Sequence, residues 1–108
     1  MYGNKIIEKV EVEKFLALIA KYLPHQIECT RHTFFRLNEK QRQIYTEKEI
    51  CRIIIQERPF LVGLQSNGNH AVFYKYQGKI LKILVALETR KINIVTFYFI
   101  NEWQVPKL

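Results

Sequence analysis

Two cysteines, four glycines and no long apolar run set the first limits on this 108-residue chain. Cys29 and Cys51 are too far apart for a C-x-x-C pair. With His25, His32 and His70 they show no metal-ligand spacing, so no metal is expected. The glycines make no phosphate-cradling loop, and no cofactor is expected. Between Phe60 and Asn101 the sole carboxylate is Glu88, which leaves that half without a pair of carboxylates for acid/base work. No stretch approaches the ~20 apolar residues of a membrane span. The N-terminal Met-Tyr-Gly-Asn-Lys-Ile-Ile-Glu-Lys mixes charges and has no signal-peptide core. Two cysteines can close one disulfide, but nothing in the sequence is secretory. The expectation is a cytoplasmic protein, away from membranes, with two buried thiols.

Repeats, low-complexity tracts and linkers are also missing, so residues 1–108 read as a single domain. A chain of this length buries roughly 60–70% of its unfolded surface. What is plentiful is positive charge: 17 Lys and Arg against 10 acidic residues, a net +7. That balance favours RNA, DNA or an acidic partner, although many small proteins are basic without binding any of them.

The first half has helical periodicity. Val12, Phe15, Leu16, Ile19, Tyr22 and Leu23 follow i, i+3, i+4, i+7 spacing up to Pro24. A short extended piece fits at Gln26–Cys29. Thr30 to Ile44 forms a second amphipathic pattern, and Thr46-Glu47-Lys48-Glu49 is a capping box that opens a third helix ending before Pro59. The second half alternates instead. Phe60–Leu64, Ala71–Tyr76, Ile80–Leu87 and Ile92–Ile100 are rich in branched and aromatic residues, with turns too short for crossover helices. The expected fold is therefore α+β, with N-terminal helices (about 10–58) packed on a four-stranded antiparallel meander sheet (about 59–101). A tail follows at 102–108, where Trp103 reads as an anchor to the body. Strict alternation places Ile92, Ile94, Thr96 and Tyr98 on one face of the last strand. It places Asn93, Val95, Phe97 and Phe99 on the other.

Three groups of residues can carry chemistry. In the 30–44 pattern, Phe34, Leu37 and Ile44 fall on one side while His32, Arg36, Glu39 and Gln43 fall on the other. An imidazole one turn from a guanidinium can move a proton beside a clamped phosphate. The alternative is a solvated helix face with Glu39 paired to Arg36 or Arg42. Thr96 and Tyr98 can offer hydroxyls to a phosphate or base from the last strand, or can be ordinary strand residues. Tyr74, Lys75, Tyr76, Lys79 and Lys82 mix rings with cations, as single-stranded RNA binding needs and as a lysine-guarded hairpin edge also shows.

The pattern Arg31-His32-x-x-x-Arg36-Leu37-x-Glu39-Lys40, the capped helix at Thr46, the Tyr74 hairpin and Ile94-Val95-Thr96-Phe97-Tyr98 together resemble a prokaryotic domain family of unknown function. That family is allied to the RelE-like toxins of the barnase–EndoU–colicin–RelE assemblage. The resemblance covers roughly residues 27–107. It implies a RelE-like sheet and metal-independent endoribonuclease activity in a toxin restrained by a small acidic antitoxin. Its RNA substrate would include ribosome-associated mRNA. It further implies that His32, Arg36 and Thr96 are the site residues; on the residue reading above, His32 would be the acid or base, Arg36 would bind phosphate, and Thr96 and Tyr98 would line the floor. Arg31, Lys40, Arg42, Tyr74, Lys75 and Lys82 would bind RNA. Lys40 and Gln41 stand where the family usually has Arg-Gly, which makes Arg42 the candidate substitute. The competing expectation is a non-catalytic RNA-binding or protein-interaction module using the same basic, aromatic face.

Overall fold

The computed structural model describes residues 5–29 and 46–108. Among them the chain forms β1 (Ile6–Val10), α1 (Val12–Ile19), β2 (Ile27–Cys29) and α2 (Glu47–Gln56), followed by β3 (Leu61–Gln65), β4 (His70–Tyr76), β5 (Lys79–Leu87) and β6 (Ile92–Ile100). The expected second helix, with His32 and Arg36, lies outside the described residues. No helix among the described residues is long and apolar enough to cross a membrane.

The α+β class holds, and the sheet is larger than four strands. Among the described residues it has six, in the order β1-β3-β4-β5-β6-β2. The β3–β6 meander is antiparallel throughout, as its short turns require. At the β4–β5 turn Gln77 and Gly78 both take positive φ, +50° and +77°, the backbone of a two-residue primed hairpin. One edge is extended by β1, antiparallel to β3. At the other edge β2 runs parallel to β6, pairing Ile27 with Ile92 and Cys29 with Ile94. The first element among the described residues is therefore a strand, where the sequence pattern suggested helices first. A bulge at Ile7 breaks the alternation of β1, and its middle residues are exposed, so β1 carries no periodic signal.

Helix α1 ends at Ile19, short of Leu23. The Lys21 and Tyr22 amides bond back three residues, and the Tyr22 hydroxyl donates to the Glu88 carbonyl at the β5–β6 turn. Pro24 then opens a single 3₁₀ turn, Pro24–Gln26. Helix α2 starts where its cap predicts, with the Thr46 hydroxyl accepting the Glu49 N–H at 3.2 Å. The Glu49 carboxylate is held by Arg52, 2.9 Å from Nε, so its pKa lies below the ordinary value. Trp103 does not anchor the tail: it is 80% exposed.

Both described helices bury their stripes on one face of the sheet. Phe15 and Ile19 of α1 join Ile50, Ile53 and Ile54 of α2 in a core with Val62, Val72, Tyr74, Ile83, Ile94 and Phe97. A second, smaller core of Ala71, Phe73 and Leu84 lies on the opposite face, with Ile6, Leu61, Ile80, Val95 and Ile100 around it. The boundary between the faces corrects the expectation for β6. Leu84 pairs with Thr96 while its neighbour Val85 pairs with Ile94, so β6 carries one extra residue at Val95. Past this bulge the parity inverts. Ile92 and Ile94 share the helix side with Phe97 and Phe99, whereas Thr96 and Tyr98 fall on the opposite face.

Two stability predictions follow from this packing. A Cβ on Gly63 would stand 2.6 Å from Ile6 Cγ2 and 3.0 Å from its Cδ1. Gly63→Ala should cost about 1–3 kcal/mol in urea unfolding. In the Ile6→Ala background most of that cost should vanish, and additive losses would refute the contact. On the helix side, half-buried His70 packs its ring 5.8 Å from Phe15, and desolvation lowers its pKa below the ordinary 6.5. On acidification the unfolded chain therefore takes up this proton first. The contribution is intact above about pH 6.5 and is lost as pH falls below it. Unfolding midpoints measured between about pH 8 and about pH 5 should fall less steeply for His70→Phe than for the wild type.

Candidate nucleic-acid interface

Strand register builds the face opposite the two described helices into rows. Gly63, Ala71, Leu84 and Thr96 form one row, and Leu61, Phe73, Lys82 and Tyr98 form the next. Lys75, Ile80 and Ile100 form the third. Neighbours within a row stand one strand spacing apart, roughly 4.8 Å. The middle row has the most distinct chemistry. Lys82 Nζ lies 5.6 Å from the Phe73 ring centroid and 5.4 Å from that of Tyr98, so one ammonium is shared by rings on both flanking strands. Lys75 Nζ stands 5.7 Å over Phe60, which itself packs 6.3 Å from Phe73. Two cations and three rings thus form one continuous patch across β4, β5 and β6.

The patch divides into a dry layer and a wet one. Phe73, Ala71 and Leu84 are buried, and Thr96 is 4% exposed beside them. Tyr98 is 36% exposed, and Phe60 and Lys75 also reach solvent. The lysine stems lie along the apolar floor while their ammonium groups remain outward. Such a surface can stack a base on Tyr98 or Phe60 and meet the adjoining phosphates with Lys75 and Lys82. The three rows hold no imidazole and no carboxylate, so they supply binding groups and hydroxyls but no ready proton carrier.

Of the residues singled out from sequence, Lys75, Lys82, Thr96 and Tyr98 converge here. His32, Arg36, Arg31, Lys40 and Arg42 lie outside the described residues. Tyr74 does not belong to the interface. It points to the helix side, is 1% exposed, and its hydroxyl has no hydrogen-bond partner among the described residues. Burial, and then the Glu57 carboxylate, push its pKa well above the ordinary phenol value. Tyr76 follows the same parity, stacking 6.4 Å from Phe99 on the helix side, with Lys79 Nζ 5.4 Å from the Phe99 ring. The rings that meet Lys75 and Lys82 are Phe60, Phe73 and Tyr98. Alternation along β4 carried that signal: Ala71, Phe73 and Lys75 share a parity that excludes Tyr74.

Among the described residues no three His, Cys, Asp or Glu side chains converge as a metal-holding group. No family model, curated protein or solved structure matches the chain.

The buried phenol gives a direct test of the two faces. Tyr74→Phe removes a hydroxyl that has no partner among the described residues, and it should leave stability unchanged or raise it by up to about 1 kcal/mol. Tyr74→Ala should cost about 3–5 kcal/mol. A large loss in Tyr74→Phe, read by urea unfolding, would show that the hydroxyl is bonded.

Proposed function

We propose that this protein binds single-stranded RNA across the Lys75–Lys82–Tyr98 face and cleaves it without a metal, as a toxin-like endoribonuclease held in check by an acidic partner. The observation that carries the reading is Lys82 set between Phe73 and Tyr98, one row from Thr96. Rings with interleaved cations suit bases joined by phosphates, and the net charge of +7 draws a polyanion to the surface. The chemical step comes from sequence. His32 would move the proton between the attacking 2′-hydroxyl and the leaving oxygen, with Arg36 and Arg42 stabilising the crowded phosphorane. The likeness of Arg31-His32-x-x-x-Arg36 and Ile94-Val95-Thr96 to the RelE-allied family supports that assignment and an antitoxin partner. A cytoplasmic site of action fits the same reading.

A binding-only module is the second reading. It is favoured by the lack of any imidazole or carboxylate in the three rows.

Incubation of the folded protein with single-stranded RNA in EDTA separates the two. Cleavage should be seen, and His32→Ala should slow it by about 100-fold or more. Intact RNA, or an equally active His32→Ala protein, rejects the enzyme. Binding is read separately, by titration at several salt concentrations. Tyr98→Ala should cost about 1–3 kcal/mol of affinity, and Lys82→Gln should make the salt slope shallower by about one phosphate. Unchanged affinity in both variants would remove the sheet face from RNA binding.

A further inference from the structure

The two thiols, far apart in sequence, are neighbours in the fold. Cys29 closes β2 and Cys51 lies on the second turn of α2. The two elements are fastened at this point by polar contacts: the Cys29 N–H donates to Glu47 Oε1 at 3.4 Å, and the Cys51 thiol faces the Ile27 carbonyl at 3.8 Å. Both cysteines are free and only half-buried, so neither is the sealed core thiol expected from sequence. The carbonyl that the Cys51 thiol faces lies two residues before Cys29 on β2, and both cysteines pack against the same core, which brings the two thiols side by side. The neighbouring Cys51 thiol and burial push the Cys29 thiol up, while the Cys29 thiol lowers the pKa of Cys51 against burial and the Glu47 carboxylate.

We propose that Cys29 and Cys51 form a reversible intramolecular disulfide in response to hydroperoxide, covalently joining β2 to α2. The two sulfurs take different parts. Cys51 attacks one peroxide oxygen. Its S–O bond forms as the O–O bond breaks, and the departing hydroxide takes up a proton to leave as water. Cys29, already against the resulting sulfenic acid, gives up its proton and attacks the Cys51 sulfur. The S–S bond forms, the S–O bond breaks, and a second water leaves. Two thiols and one hydrogen peroxide thus yield one disulfide and two waters, and a dithiol reverses the link by exchange. The pair makes a modification site at the parallel edge of the sheet, and it stands independently of the RNA reading.

Intact-mass spectrometry of the full chain treated with hydrogen peroxide tests this. The wild type should lose two hydrogens and both free thiols. A non-reducing digest should join the Cys29 peptide to the Cys51 peptide, and dithiothreitol should restore the original mass. The link should form faster in the native protein than in the urea-unfolded chain. Cys29→Ser should stop at a dimedone-trappable sulfenic acid on Cys51, and Cys51→Ser should stay unmodified at the same dose. Persistence of both thiols, separate over-oxidation of each, links only between chains, or equal native and unfolded rates would each overturn the proposal.

Discussion

Four consecutive residues of β4, Ala71 to Tyr74, are withdrawn almost completely from solvent, and the rest of the structure answers to that burial. A strand dry on both faces needs partners on both edges for its amides and apolar cover on both sides. Strands β3 and β5 supply the edges. Helices α1 and α2 cover Val72 and Tyr74 with a stripe of Phe and Ile. On the other side Ala71 and Phe73 form the floor on which Lys82 and Phe60 lie. The candidate interface is thus the outer layer of a core. Lys82 lies over the same Phe73 ring that fills the sheet, so the chemistry and the packing of the patch are not separable.

Much of this was readable from residue patterns, and the failures have physical causes. The four meander strands, the Gln77-Gly78 turn and the Thr46 cap each rest on local rules, and each appears where those rules place it. What local rules miss is partnership at a distance. Strand β2 is three residues long, and what defines it is a parallel partner some sixty positions away at Ile92. Its short extended character shows in the sequence, but its place at the sheet edge does not. Strand β1 is similar, for its exposed and bulged residues read as nothing in particular until β3 lies beside them.

The interface was readable in part for a related reason. Lysines and aromatics near one hairpin signalled a mixed surface, but counting residues on a strand does not say which side they occupy. Parity on β4 sorts Lys75 with Phe73 and sends Tyr74 inward, which alternation alone could have given. Parity on β6 could not be read the same way, because a single unpaired residue resets it. The cysteines show the same limit. Their separation in sequence suggested two isolated thiols, and only the packing of α2 beside β2 brings them together.

That extra residue, Val95, acts on the strand as a frameshift acts on a reading frame. Upstream of it even-numbered positions face the helices, and downstream odd-numbered ones do. Both Phe97 and Tyr98 owe their surroundings to an insertion that neither of them touches on in sequence pattern. Deleting that one residue would leave plain alternation with Phe97 still inward and Tyr98 still outward, whereas pairing Val95 in regular register would exchange the whole distal half of β6 between core and surface. Selection on the buried Phe97 and on the outward Tyr98 is then selection against the regular register, and it tolerates the loss of Val95 better than its pairing.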